Sequence, residues 1–227
     1  MAKHLSKEEL ESDPLIEHYN QAANYIGNNR TIILSILIGL VVVIGSIIGY
    51  SYYSKSQEQK AQELLSTAER YYSEGDYDKA LNGDSFELTY GFSQIAENFS
   101  GTDAGNLAVY YASVCSFKLG NIEDAISYIT NYDVPDGILG VGALSFHANL
   151  LAANGSFEKA ALMYEKAAKW DVNDSTTPFN LLKAANTYYK AEKIGKAKEL
   201  ASKILNEYPN SAEVGEAQKL LGMLAVK

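Results

Sequence analysis

One six-residue phrase recurs four times along this chain, and it constrains the fold more than any other feature. It reads Gly75-Asp-Tyr77-Asp-Lys-Ala80, Gly120-Asn-Ile122-Glu-Asp-Ala125 and Gly155-Ser-Phe157-Glu-Lys-Ala160. A fourth copy, Glu192-Lys-Ile194-Gly-Lys-Ala197, has lost its first glycine. The alanines stand 45, 35 and 37 residues apart. Each residue type has a physical task. Glycine lets the chain reverse between two antiparallel helices, and the next large side chain plugs the turn. Alanine sits where the second helix crosses the first too closely for anything larger.

This spacing resembles the tetratricopeptide repeat, whose period is about 34 residues. Other positions agree. Tyr71 and Tyr188 lie four residues before the turn, Tyr164 and Ala167 lie four and seven after Ala160, and Pro209 closes the fourth unit. The resemblance covers about two-thirds of the chain and predicts an all-α solenoid of about four degenerate units. Three departures mark it. The first unit carries an extra stretch of about eleven residues around Leu81-Asn82-Gly83-Asp84-Ser85, and Trp170 to Pro178 form a loop foreign to the repeat. Residues 211–226, with Val214, Ala217, Leu220, Leu221 and Leu224 on one face, read as a C-terminal capping helix.

Upstream of the repeats, no charged residue occurs between Arg30 and Lys55. The 24 uncharged residues 31–54 would make about 36 Å of helix, enough for a hydrocarbon core of roughly 30 Å. Tyr50, Tyr52 and Tyr53 fall where an interfacial aromatic belt would lie. Thirty residues with five acids precede the run and no small-residue cleavage site follows it, so an uncleaved anchor is expected rather than a signal peptide. Neither proline nor glycine occurs in residues 50–74, so the span should continue as one helix into the first repeat and stop at Gly75. Lys3, Lys7 and Arg30 on one side balance Lys55, Lys60 and Arg70 on the other, and charge leaves the orientation open.

Before the span, Asp13-Pro14 can start a short amphipathic helix with Leu15, Tyr19, Ala22, Ala23 and Ile26 on one face, ending at Gly27-Asn28-Asn29. The expected layout is therefore a tail in residues 1–30, a transmembrane helix in 31–54 and a repeat domain in 55–227. Within the span, Ser35, Gly39, Ser46 and Gly49 project in one direction, a stripe that could serve as a packing face for another membrane helix.

Chemistry has no foothold in the sequence. The net charge of −9, from 28 acids against 19 bases, repels phosphate backbones and speaks against nucleic-acid binding. A single cysteine, Cys115, and the scattered His4, His18 and His147 offer neither a disulfide framework nor a metal site. Phosphate loops, dinucleotide fingerprints and hydrolase elbows are absent. Asp76, Asp78, Asn82 and Glu87 echo a calcium loop, but Ala80 and Leu81 occupy positions that need a ligand and a glycine. Trp170 reads as a local core plug. No catalytic residue, cofactor, metal or small-molecule substrate is expected.

Repeat solenoids work through a face built from the first helix of each pair. The register places Tyr72 there in the first unit, Tyr110, Phe117 and Lys118 in the second, and Asn149 in the third. The fourth contributes Phe179, Asn186, Tyr189 and Lys190. At Ala152 the surface should be shallow. Rings and amides of this kind can hold an extended peptide; the same tyrosines could instead seal neighbouring repeats.

The order of parts resembles the YfgM-type ancillary subunit of the bacterial Sec translocon. Residues 19–53, residues 59–75 and Phe92-Ser-Gln-Ile-Ala-Glu-Asn-Phe-Ser-Gly-Thr-Asp-Ala104 leading into Leu107-Ala108 carry that resemblance. Thr176-Thr177-Pro178 and Tyr208-Pro209-Asn210-Ser211 look like Bacteroidota versions of the repeat. The resemblance implies a single-pass inner-membrane protein with a cytoplasmic N-terminus and a periplasmic repeat domain. It also implies a non-enzymatic adaptor associated with SecYEG and a PpiD-like periplasmic chaperone, assisting unfolded secretory chains. Two alternatives stand beside it: a periplasmic scaffold for envelope or division machinery, and a cytosol-facing receptor of opposite topology.

Overall fold

The computed structural model describes residues 14–225. Asp13 and Val226, expected in the first and last helices, lie outside the described residues. All regular structure among the described residues is helical, in eleven helices. The chain divides into two compact units, Met1–Lys55 and Ser56–Lys227.

The first unit holds α1 (Pro14–Asn28) and the opening of α2 (Arg30–Glu74). Gly27-Asn28-Asn29 interrupts the helix less than its composition suggests. Asn29 donates its N–H to the Tyr25 carbonyl and accepts from the Ile33 N–H, each at 3.0 Å, so the hydrogen-bond ladder crosses the joint. Apart from half-buried Ile33, the large apolar side chains of residues 32–53 are exposed, Val41 at 68% among them. By length and composition α2 can cross a membrane.

The second unit is a stack of helix pairs. The C-terminal part of α2 pairs with α3 (Tyr77–Asn82), α5 (Asp103–Lys118) with α6 (Ile122–Thr130), α7 (Ile138–Ala153) with α8 (Phe157–Trp170), and α9 (Thr176–Lys190) with α10 (Ile194–Glu207). The final helix α11 (Val214–Ala225) packs on α10 and α9, burying Ala217, Leu220 and Leu224 as the expected cap. Ala80, Ala125, Ala160 and Ala197 are fully buried at the crossings, as the repeat requires.

The four turns close with one hydrogen-bond pattern. The residue after the turn glycine donates back to the carbonyl five residues upstream: Asp76 to Tyr71, Asn121 to Ser116 and Ser156 to Leu151, at 2.8–3.0 Å. This helix-ending motif needs a left-handed residue at the turn. Gly75, Gly120 and Gly155 supply it with φ of 82°, 86° and 75°. In the fourth unit Lys193 donates to Tyr188 in the same way.

The extra stretch of the first unit interrupts its second helix. After six residues of α3 the chain loops through residues 83–91, then resumes as α4 (Phe92–Asn98), which buries Phe92, Ile95 and Ala96 against α5. Gly83 and Gly91 pass so close together that a Cβ on either would strike backbone. The loop after Trp170 is shorter in coil than expected. Asn173 accepts from the N–H groups of Ser175 and Thr176, and α9 begins at Thr176, with Pro178 in its first turn.

Candidate protein-interaction face

The first helices of successive pairs touch one another directly, which makes their outer sides one face. Tyr72 of α2 meets Tyr111 of α5 with ring centroids 5.2 Å apart. Glu58 of α2 accepts from the N–H groups of Asp103 and Ala104 at 2.7 and 3.2 Å, capping α5. From α5, Tyr110 and Phe117 both reach Phe146 of α7, at 5.8 and 6.0 Å. Ser145 of α7 donates to Asn180 of α9 at 2.6 Å.

Ring contacts run without a break from Tyr77 through Tyr72, Tyr111, Tyr110 and Phe146 to Phe117, with Phe92 and Tyr132 alongside. Most of these are edge-to-face pairs, the favoured geometry for aromatic rings. Burial raises the hydroxyl pKa of Tyr110, Tyr72 and Tyr111, with smaller contributions from neighbouring tyrosines, Cys115 and Glu69. The hydroxyls of Tyr72, Tyr110 and Tyr111 therefore stay protonated at physiological pH.

Of the expected face residues, the structure joins Tyr110 and Phe117 through Phe146 and sets Tyr72 in the N-terminal core cluster. Phe117 and Phe179 keep 38% and 44% of their surface open. Lys118 and Lys190 lean over the plug residues Tyr77 and Phe157 of the preceding units, each at 5.9 Å. Asn149 accepts from the Tyr164 hydroxyl at 2.6 Å, Asn186 donates to the Leu182 carbonyl, and Tyr189 packs on the C-terminal core.

Phe146 escaped the sequence reading. It stands six residues before Ala152, as Tyr111 stands six before Phe117, and that shared register was the available signal. Its ring packs on Tyr110 and Phe117 of the second unit. Phe86 and Leu88 also escaped, being in the stretch that follows no repeat register.

The remaining chemical candidates resolve as structure. Burial alone pushes the Cys115 thiol up to about 12, which leaves it a neutral, inert group in the core. Burial, and then Lys166, lower the pKa of His147, which is half-buried. Trp170 donates its indole N–H to the Pro135 carbonyl at 2.9 Å and packs with Val141 and Leu144. Among the described residues, no group of three or more His, Cys, Asp or Glu is placed to hold a metal ion.

No protein-family model matches the sequence, and no curated protein matches it. Solved structures do match the fold, among them two of one protein. Both are crystal structures of a Podosopora anserina putative kinesin light chain with nearly identical TPR-like repeats, one of them a substituted form. Each superposes with a TM-score of 0.52 at 12% identity over 74% of this chain, covering 94% and 95% of the solved chains. The fold is a tetratricopeptide-like repeat array.

Identity at that level carries the architecture and nothing finer. In a solenoid of this kind the first helices of successive pairs line one extended face. Here α2, α5, α7 and α9 line that face.

Proposed function

We propose that this chain is a membrane-anchored, non-enzymatic adaptor at the Sec translocon, associated with SecYEG and a PpiD-like periplasmic chaperone. The observation that carries the reading is α2. One 45-residue helix holds both an apolar stretch with no protein packed on it and, through Ala61, Leu65, Ala68 and Tyr71, the first wall of the repeat core. That order of anchor and array is the one for which the YfgM-type subunit stands as precedent. In this reading residues 1–30 form a cytoplasmic tail, 31–54 cross the inner membrane of a Bacteroidota-like bacterium, and 55–227 lie in the periplasm.

Emerging secretory chains would be held on the exposed rings of Phe117 and Phe179 with Asn149 between them, backed by Phe146. Ser35, Gly39, Ser46 and Gly49 would form the face that meets a partner helix in the bilayer. The test is purification of the intact protein in mild detergent with identification of what accompanies it. Recovery of channel subunits and a periplasmic chaperone supports the proposal; envelope or division proteins without channel subunits overturn it.

A second reading has its own observation. Tyr72 and Tyr110 are spent on ring contacts within the array. A scaffold that grips one folded partner and ignores peptides would need no more open aromatic surface than this. Peptide binding to the purified protein separates the two.

A further inference from the structure

Loop 83–91 holds Phe86 and Leu88 out into solvent, 100% and 86% exposed. The loop itself is firmly built. Asp84, only 6% exposed, accepts from the N–H groups of Phe86 and Glu87 at 2.8 and 3.3 Å and pairs with Lys79 at 2.8 Å. Thr89 and Asp84 exchange two further hydrogen bonds of 3.0 Å. Glu87 ties the outer edge to the Tyr71 hydroxyl and to Arg70. Leu88 adopts φ of 54°, a conformation that costs a non-glycine residue about 1–2 kcal/mol. A rigid loop that presents two large apolar side chains despite that strain is preorganised for contact.

Its surroundings are acidic. Glu74, Asp76, Asp78, Asp84 and Glu87 gather there against Arg70 and Lys79, and both bases are already paired with these acids. The knob is therefore apolar at its tip and negative at its base.

Helix α8 carries the complement. Leu162, 56% exposed, and Trp170 wall an open pocket of about 390 Å³. Lys166 and Lys169 rim it, with the Lys166 ammonium 5.5 Å from the Trp170 ring. The one acid in the lining, Glu165, is engaged by the Tyr188 hydroxyl at 2.6 Å and by Lys169 at 3.5 Å.

We propose that Phe86 and Leu88 of one copy dock into the Leu162–Trp170 pocket of a second copy, so that the chain self-associates head to tail. Shape chemistry and charge agree: an apolar knob on an acidic base meets an apolar pocket with a basic rim. The contact is heterologous, so knob and pocket each remain free at the two ends and assembly can extend beyond two copies. Two side chains bury far less than a stable dimer needs, so the association is weak and reversible.

The test uses the full chain in mild detergent, followed by sedimentation from about 1 to 100 μM. The expected result is a mass that rises with concentration, and a Kd at least tenfold weaker in both Phe86→Glu and Leu162→Glu. Both positions are exposed, so helicity should survive each change. Single-cysteine variants then fix the geometry, because buried Cys115 reacts only when the fold opens. A mixture of Phe86→Cys and Leu162→Cys chains should be joined by a short bis-maleimide, and neither variant alone should be. A single-copy mass throughout overturns the proposal. So does association unaffected by both glutamates, or crosslinking no stronger in the mixture than in either variant alone.

Discussion

Glu192 stands in the same left-handed backbone conformation as Gly155, with φ of 60° against 75°. The two occupy the same register position in the fourth and third repeat turns, and the following residue closes each turn with the same hydrogen bond. The fourth turn has lost its glycine and kept its geometry, so Glu192 bears the Cβ clash that glycine avoids. Replacing Glu192 with glycine is expected to stabilise the protein by about 1 kcal/mol, net of the extra chain entropy. Gly155→Ala should destabilise it by a similar amount. Denaturant unfolding of the two variants checks both signs.

Glu58 offers a second test, since its carboxylate takes two N–H groups at the start of α5 from a different helix. Removing it leaves those donors without their charged acceptor. Glu58→Ala should cost about 1–2 kcal/mol, and Glu58→Gln, which keeps one oxygen acceptor, less. Thermal unfolding of the pair against the parent protein is the measurement.

Cys115 makes stability depend on alkaline pH. Its folded pKa of about 12 lies above its ordinary value of 9.0, so the folded state holds the proton more tightly. The associated stability is fully present below pH 9 and drains away as pH rises toward 12. The slope from this group approaches about 1.4 kcal/mol per pH unit in that window. Tyr188 adds to the loss: burial first, then its bond to Glu165, raise its pKa as well. Cys115→Ala should flatten the pH 9–12 part of the stability profile, measured by denaturant titration at fixed pH. In the parent protein, a thiol reagent at pH 8 should react only at the rate of opening.

Phe117 and Phe146 should separate binding from folding. Phe117 is partly open, whereas Phe146 joins the rings of α5 to α7. Phe117→Ala is expected to leave unfolding within about 1 kcal/mol of the parent while weakening any peptide held on this face. Phe146→Ala should lower stability by about 2–3 kcal/mol. Peptide titration beside denaturant unfolding distinguishes the two effects.

Gly39 and Gly49 test the packing face proposed for the span. A Cβ at either position meets nothing within 4 Å, so leucine fits the helix itself. Gly39→Leu with Gly49→Leu should therefore leave the repeat domain folded and reduce co-purification of a membrane partner. Unchanged co-purification removes the packing role of the stripe.

By itself the sequence determined the repeat. The recurring glycine, plug and alanine specify a reversal and a close crossing wherever they occur, and those are local requirements that hold before any packing. The same is true of α2, where 24 uncharged residues and the lack of helix breakers up to Gly75 leave one long helix as the outcome. Tertiary structure decided what depends on partners distant in sequence. Whether Tyr110 lies open or seals a neighbour is set by Phe146, which lies 36 residues away. Loop 83–91 became a rigid knob because Asp84 is buried beside Lys79, where its charge must be met by ammonium and N–H groups. Glu192 keeps its turn because the packed helices on either side impose that φ. Periodicity records which face of a helix is apolar; only the assembled array decides which of those side chains are left for another protein.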